Sequence, residues 1–214
     1  MRLLALLSLY LIACASLAQA ALRNGPMLAH LEMREAQIWV QAEVASVVRV
    51  NYTATGSQTS HWSHPVETNA SKGHTALVYL DKIEPGTRYD YRVELNGELV
   101  GPSASFATLD NYYERRPAPD FKFAVGGAHY AVEDGFEPPY RTLGGGYDIF
   151  STIAGMEPAF MLWVGNTAHL RPADWSSQSG YLKRYAKARA VPQLGPLLQS
   201  IPHYATWGDS DYSA

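Results

Sequence analysis

Phe160-Met161-Leu162-Trp163-Val164-Gly165-Asn166-Thr167-Ala168-His169 and His203-Tyr204-Ala205-Thr206-Trp207-Gly208-Asp209-Ser210-Asp211-Tyr212 are two versions of one pattern. Each is a short apolar run that stops at a glycine and then releases polar side chains able to bind metal. An open α/β sheet builds a reaction site in this way, from buried parallel strands whose C-terminal ends carry the functional residues. Upstream, Phe121-Lys122-Phe123-Ala124-Val125 before Gly126-Gly127 reads as a preceding strand. Residues 147–156 read as a short helix, 180–190 as an amphipathic helix and 192–200 as a further short helix. Strand, helix, strand, helix, strand predicts a parallel sheet with right-handed crossovers. Gly144-Gly145-Gly146 reads as a flexible hinge, since no strand leads into it as a phosphate loop would need.

The periodicity is different before residue 110. Residues 36–42, 47–52 and 75–80 place apolar side chains at every second position, as a sheet with one wet face requires. Pro85-Gly86 supplies a turn, Tyr89 and Tyr91 alternate into the next strand, and Asn96-Gly97 closes a hairpin before a last strand at 105–108. Short strands separated by turn signals, with no convincing helix, predict a small β-sandwich over 22–109. Residues 110–119, polar and proline-bearing, read as a linker into a segment that runs from 120 to 214.

Arg2 followed by the apolar run 3–13 and Ala18-Gln19-Ala20 reads as an export signal over 1–20, too short to span a bilayer. Cleavage after Ala20 leaves a chain without cysteine, so neither a disulfide framework nor a thiolate ligand is available. Leu11-Ile12-Ala13-Cys14 resembles a lipobox, and lipid anchoring through Cys14 is the competing reading. The expected location is therefore periplasmic or secreted. Loss of Arg2 takes the net charge from −3 to −4, with basic residues scattered along the chain, so nucleic-acid binding is not expected on charge. Asn51-Tyr52-Thr53 and Asn69-Ala70-Ser71 fit the glycosylation triplet but read more simply as exposed loop residues.

Taken with the signal and the opening Gly25-Pro26-Met27, several stretches resemble the start of the alkaline phosphatase D family of metallophosphoesterases. They are residues 121–126, 149–154, 160–165 and 189–194, leading into 202–207, in one collinear order. The stretch from Leu80 through Pro85-Gly86-Thr87 to Tyr89 and Tyr91 is similar to the corner of fibronectin type III-like domains. The resemblance implies an incomplete α/β metallophosphoesterase-like domain after a fibronectin-like sandwich. It also implies hydrolysis of phosphate mono- and diesters by iron plus calcium-type ions held at strand ends. In such a site anionic ligands neutralise the clustered cations and a metal-bound hydroxide attacks phosphorus.

The family's strands end in Gly-Ser-Cys, Gly-Asp-x-x-Tyr and Trp-Asp-Asp-His-Asp-Tyr-Gly, and this chain departs from all of them. Gly126-Gly127-Ala128 has no thiolate, Asn166 stands in place of the bridging aspartate, and His169 replaces the tyrosine. Asp209 and Asp211 remain while an acidic residue and a histidine are gone. Asn166, His169, Asp209 and Asp211 are thus degenerate metal-ligand positions, with weak or lost binding, because a neutral amide cannot hold two cations together. Plain readings accompany each. Asn166 could cap its own loop, His169 could be an exposed loop histidine, and Asp209 and Asp211 could face opposite ways. His129 could compensate for the missing thiolate. Trp163, Trp207 and Tyr212 read as core or wall residues, and Lys183, Arg184, Lys187 and Arg189 as a solvated helix face.

Three functions follow from these readings. The first is an exported family member with a decayed centre, little or no activity and no tightly bound cofactor. The second is an active phosphodiesterase or phosphatase with an altered metal set, acting on a phosphate ester. The third is a secreted binding module. Because three strands and two or three helices are few for a parallel sheet covered on both faces, residues 120–214 are expected to be part of a larger domain. Such a part would leave a sheet edge open to self-association.

Overall fold

The computed structural model describes residues 21–133 and 144–212; the signal readings at 1–20 lie outside them. Among the described residues, 21–109 are strands and their connections with one short 3-10 turn at Ala70–Lys72. Strands β1 (Leu22–Leu31), β2 (Ala36–Ala42) and β6 (Thr75–Leu80) form one antiparallel sheet, with β2 in the middle. The second sheet holds β3 (Val47–Ala54), β4 (Ser60–Trp62), β5 (Val66–Glu67), β7 (Arg88–Leu95) and β8 (Glu98–Ala107). Inward side chains of both sheets, among them Leu28, Ile38, Val50, Val78, Tyr91 and Phe106, form one buried cluster. The 2-residue period of the sequence is the cause, since alternate side chains of each strand point to the space between the sheets.

Turn chemistry behaves as the sequence predicts. Asn96 and Gly97 both take positive φ, which a two-residue hairpin with right-twisted strands requires. At the corner before β7, the backbone N–H of Glu84 donates to the Tyr89 hydroxyl at 2.8 Å. Strand β1 has no clean alternation in sequence because Gly25-Pro26 interrupts it, and its register with β2 shifts on both sides of that point.

The later part carries β9 (Ala124–Gly126), β10 (Met161–Val164) and β11 (His203–Thr206) as a parallel sheet with β10 central. Helices α1 (Asp148–Gly155), α2 (Gln178–Arg189) and α3 (Gly195–Ser200) connect or flank these strands. Met161 and Trp163 pack with Phe150, Leu194, Leu197 and Leu198 in a second core. Val125, Val164 and Tyr204, on the opposite sheet face, are exposed. The two parts touch directly: α3 lies against β1, and the buried Tyr91 hydroxyl donates to the carbonyl of Gln199 at 2.8 Å.

Several sequence expectations are corrected. The first parallel strand begins at Ala124, and Phe121 and Phe123 precede it, exposed, with Phe123 stacked on Phe160 at 4.9 Å. Gly144–Tyr147 is a 3-10 turn leading into α1 rather than an open hinge. Trp163 is core, but Trp207 and Tyr212 are surface residues that meet edge to face. The charged face of α2 is not uniformly solvated. Lys183 is exposed, whereas Arg184 is 1% exposed and points into the protein. Ser177 starts this helix, its hydroxyl accepting from the N–H of Gly180.

Candidate functional site at the strand ends

Glycines let the strand-end loops come into contact. Gly165 has φ +95, and a Cβ there would lie 2.9 Å from the Gly208 backbone. A Cβ on Gly208 would lie 2.3 Å from the Asn166 amide oxygen. A side chain at either position would push the loops apart. The loop after β9 joins the same arrangement, as Ala128 donates its N–H to the Gly165 carbonyl at 3.2 Å.

This close approach brings the loop after β10 onto the Asp211 carboxylate. Asp211 is 1% exposed. One of its oxygens accepts from the N–H groups of Asn166 at 2.6 Å and Gly208 at 3.0 Å. The other accepts from Thr167 N–H at 2.6 Å, Ala168 N–H at 3.0 Å and the Thr167 hydroxyl at 3.1 Å. Successive backbone N–H groups in a turn form a concavity suited to an anion. Here the chain's own carboxylate fills it. Burial pushes the Asp211 carboxyl up, but these N–H and hydroxyl donors outweigh it and hold the pKa below the ordinary carboxylate value.

The other three ligand positions are placed as follows. Asn166 takes φ +56, and its amide oxygen accepts from Ser210 N–H at 3.0 Å, which joins the second loop to the third. Asp209 is exposed and accepts from the N–H of Ser210 at 2.8 Å. His169, at φ +49, meets Tyr130 edge to face at 5.0 Å, and its carbonyl accepts from Arg184 Nε at 3.0 Å. Asn166 and Asp211 therefore come together, on complementary backbone donors, while Asp209 faces solvent in the same 3-10 turn. Among the described residues no group of three or more His, Cys, Asp or Glu could hold a metal ion. His129 turns away from the loops, with Nε2 at 2.9 Å from the carbonyl of Ala188 and its ring against Phe150.

The sequence reading missed the residues beneath the loops. Arg184 donates from Nε to the carbonyls of Ala168 and His169 at 3.0 Å and from Nη1 to Ala131 at 2.9 Å. Glu133 bridges Arg171 at 2.7 Å and Lys183 at 2.9 Å, and the hydrogen bond from Lys183 holds its carboxyl below the usual value. Tyr185 donates to the Asp211 carbonyl at 2.8 Å and Tyr181 to that of Tyr212 at 2.6 Å. The Tyr185 hydroxyl is pushed up to about 12, chiefly by burial. A basic helix whose sequence suggests a wet face gives little signal of this role.

His203 lies below, accepting at Nδ1 from Trp163 Nε1 at 2.8 Å, so its proton sits on Nε2, which faces the carbonyl of Leu197 at 3.2 Å. Burial pushes its pKa down to about 4. The unfolded chain then binds the proton at higher pH than the folded one, so stability is complete above about pH 6.5 and falls as pH drops toward 4. Asp211, also depressed in the fold, adds a further loss below the ordinary carboxylate range. Urea denaturation between pH 7 and 4 is expected to show a decline of up to about 3 kcal/mol, the value of a shift this large. A flat profile over that window would contradict the His203 geometry.

Comparisons with known proteins agree with this architecture. Residues 19–113, the sandwich segment, match a family described as a domain of unknown function, DUF7800. No curated protein matches the chain. Over 86% of this chain the fold is similar to the solved structure of PhoD, with TM-score 0.64 and 16% identity, covering 38% of that chain. It is also similar over 86% of this chain to a purple acid phosphatase, PPD1, from yellow lupin (Lupinus luteus) seeds. There the TM-score is 0.60 at 12% identity, and 34% of that chain is covered. The chain thus has a phosphoesterase-like fold and spans between a third and two fifths of the length of these structures. None of the described helices is long and apolar enough to cross a membrane.

Proposed function

We propose that this chain is an exported, phosphoesterase-like protein whose strand-end site is a hydrogen-bonded clasp instead of a metal centre, and that it does not turn over phosphate esters. In this reading residues 1–20 are a removed signal, 22–109 a fibronectin-like sandwich and 110–119 a linker. Residues 120–214 belong to the metallophosphoesterase-like domain. The observation that carries the proposal is the Asp211 carboxylate, both of whose oxygens accept from protein donors. A metal ion needs those same lone pairs, and the inward-pointing N–H groups would repel it. The amide oxygen of Asn166 is likewise taken by Ser210, so the donor set does not fit a cluster of cations. Asp209 and His169 alone carry too little charge to hold two of them.

Bis(p-nitrophenyl) phosphate incubated with the purified chain, ferric ion and calcium ion is expected to hydrolyse no faster than the metal blank. Turnover that a chelator abolishes, and that both His169→Ala and Asp209→Ala remove, would instead establish an altered metal set.

A further inference from the structure

A cleft runs between β1, the inner face of β10 and β11, and the ends of α2 and α3, and reaches the clasp at Thr167. Its inner part is a cavity of about 140 Å³ with walls that include Met27, Trp163, Leu194 and Leu198. His129 and His203 border it; both ring nitrogens of His203 and Nε2 of His129 are turned to internal partners. The adjoining outer pocket, about 180 Å³, is lined by Arg23, Asn24 and Gln199 and shares Arg189 and Leu198 with the inner one. Neither lining contains an aspartate or glutamate.

Arg189 is the group that needs an explanation. Its guanidinium lies over the rings of Trp39 at 5.3 Å and Tyr185 at 5.4 Å, and Nη1 donates to the Tyr185 carbonyl at 3.2 Å. Among the described residues no carboxylate lies within ion-pair distance of it, although the charge of Asp211 acts on it from further away. A guanidinium has five donor hydrogens, and Arg189 is only partly buried, so those without a protein partner reach solvent.

We propose that the cleft binds a small aromatic carboxylate, its ring in the inner cavity and its carboxylate on Arg189. An engineered cavity of about 150 Å³ lined by apolar side chains takes up benzene, which sets the size of the ring. One guanidinium offers a fork that matches one carboxylate. Exposed Arg23, at the outer pocket, adds to the positive field that draws an anion in. Ala205 lines the cavity yet is exposed, so the cavity opens past it.

Isothermal titration of the full chain with benzoate, benzyl alcohol and phenyl phosphate tests this. Benzoate is expected to bind once per chain with a Kd of about 1 mM or tighter, the neutral alcohol and the dianion at least about tenfold more weakly. Arg189→Gln should abolish the preference for benzoate over the alcohol, with a thermal melt confirming that the variant folds. Ala205→Leu, which keeps Arg189 and narrows the mouth, should weaken benzoate by a similar factor. Absence of saturable heat, equal affinity for benzoate and benzyl alcohol, tighter binding of phenyl phosphate, or benzoate affinity unchanged in Ala205→Leu would each overturn the assignment. The readout is binding, so its failure is separate from any finding of phosphate-ester turnover.

Discussion

Asp211→Asn is expected to cost about 3 kcal/mol or more in unfolding free energy, although it keeps the number of heavy atoms in the side chain. The amide must place its NH2 on one of two sides. One side holds the N–H groups of Asn166 and Gly208, and the other those of Thr167 and Ala168 with the Thr167 hydroxyl. Either choice sets a donor against donors in a buried position, and the lost charge weakens the hydrogen bonds that remain. Leaving buried donors unsatisfied costs about 1–3 kcal/mol each, without simple additivity, which sets the estimate. Urea denaturation of the variant and the parent chain at pH 7 gives the difference. A loss below about 1 kcal/mol would mean that the carboxylate does not hold the loops, and the case against a metal at this position would weaken with it.

Arg184→Met should cost a comparable amount, about 3–5 kcal/mol, the range found when one partner of a buried charged network is removed. Methionine fills much of the volume but supplies no donor. The carbonyls of Ala131, Ala168 and His169 would then lose the partner that ties the segment after β9 and the loop after β10 to α2. Lys187→Met, on the same helix but not fully buried, is expected to change stability by less than about 0.5 kcal/mol. Thermal denaturation of the three chains decides the matter, and limited proteolysis should cut the Arg184→Met chain faster between residues 127 and 133. Equal melting of the two variants would refute an inward role for Arg184.

These two residues mark where reading the sequence succeeds and where it stops. Period-2 strands in the sandwich, the Asn96-Gly97 hairpin and three parallel strands follow from local patterning, and they fold as expected. Strand β1 escapes the reading because Gly25-Pro26 breaks its alternation, and pairing with β2 overrides that local signal. The place of the site is legible too, since a glycine at the end of an apolar run needs no partner to be recognised. Its chemistry is less so. Asp211 and Asp209 are two residues apart and similar in sequence context, yet one is enclosed by N–H donors and the other is in solvent.

The sequence by itself determined the order of the two parts, the strand-end position of the candidate site and the residue types offered there, because these depend on local period, turn chemistry and composition. Only the tertiary structure decided which way each polar group is spent. Asp211 reaches donors at Asn166, Thr167 and Ala168, and Arg184 reaches carbonyls up to 53 residues away. Those distances are closed by chain packing, and the free energy of a buried charge depends on the partners that packing delivers rather than on its neighbours along the chain.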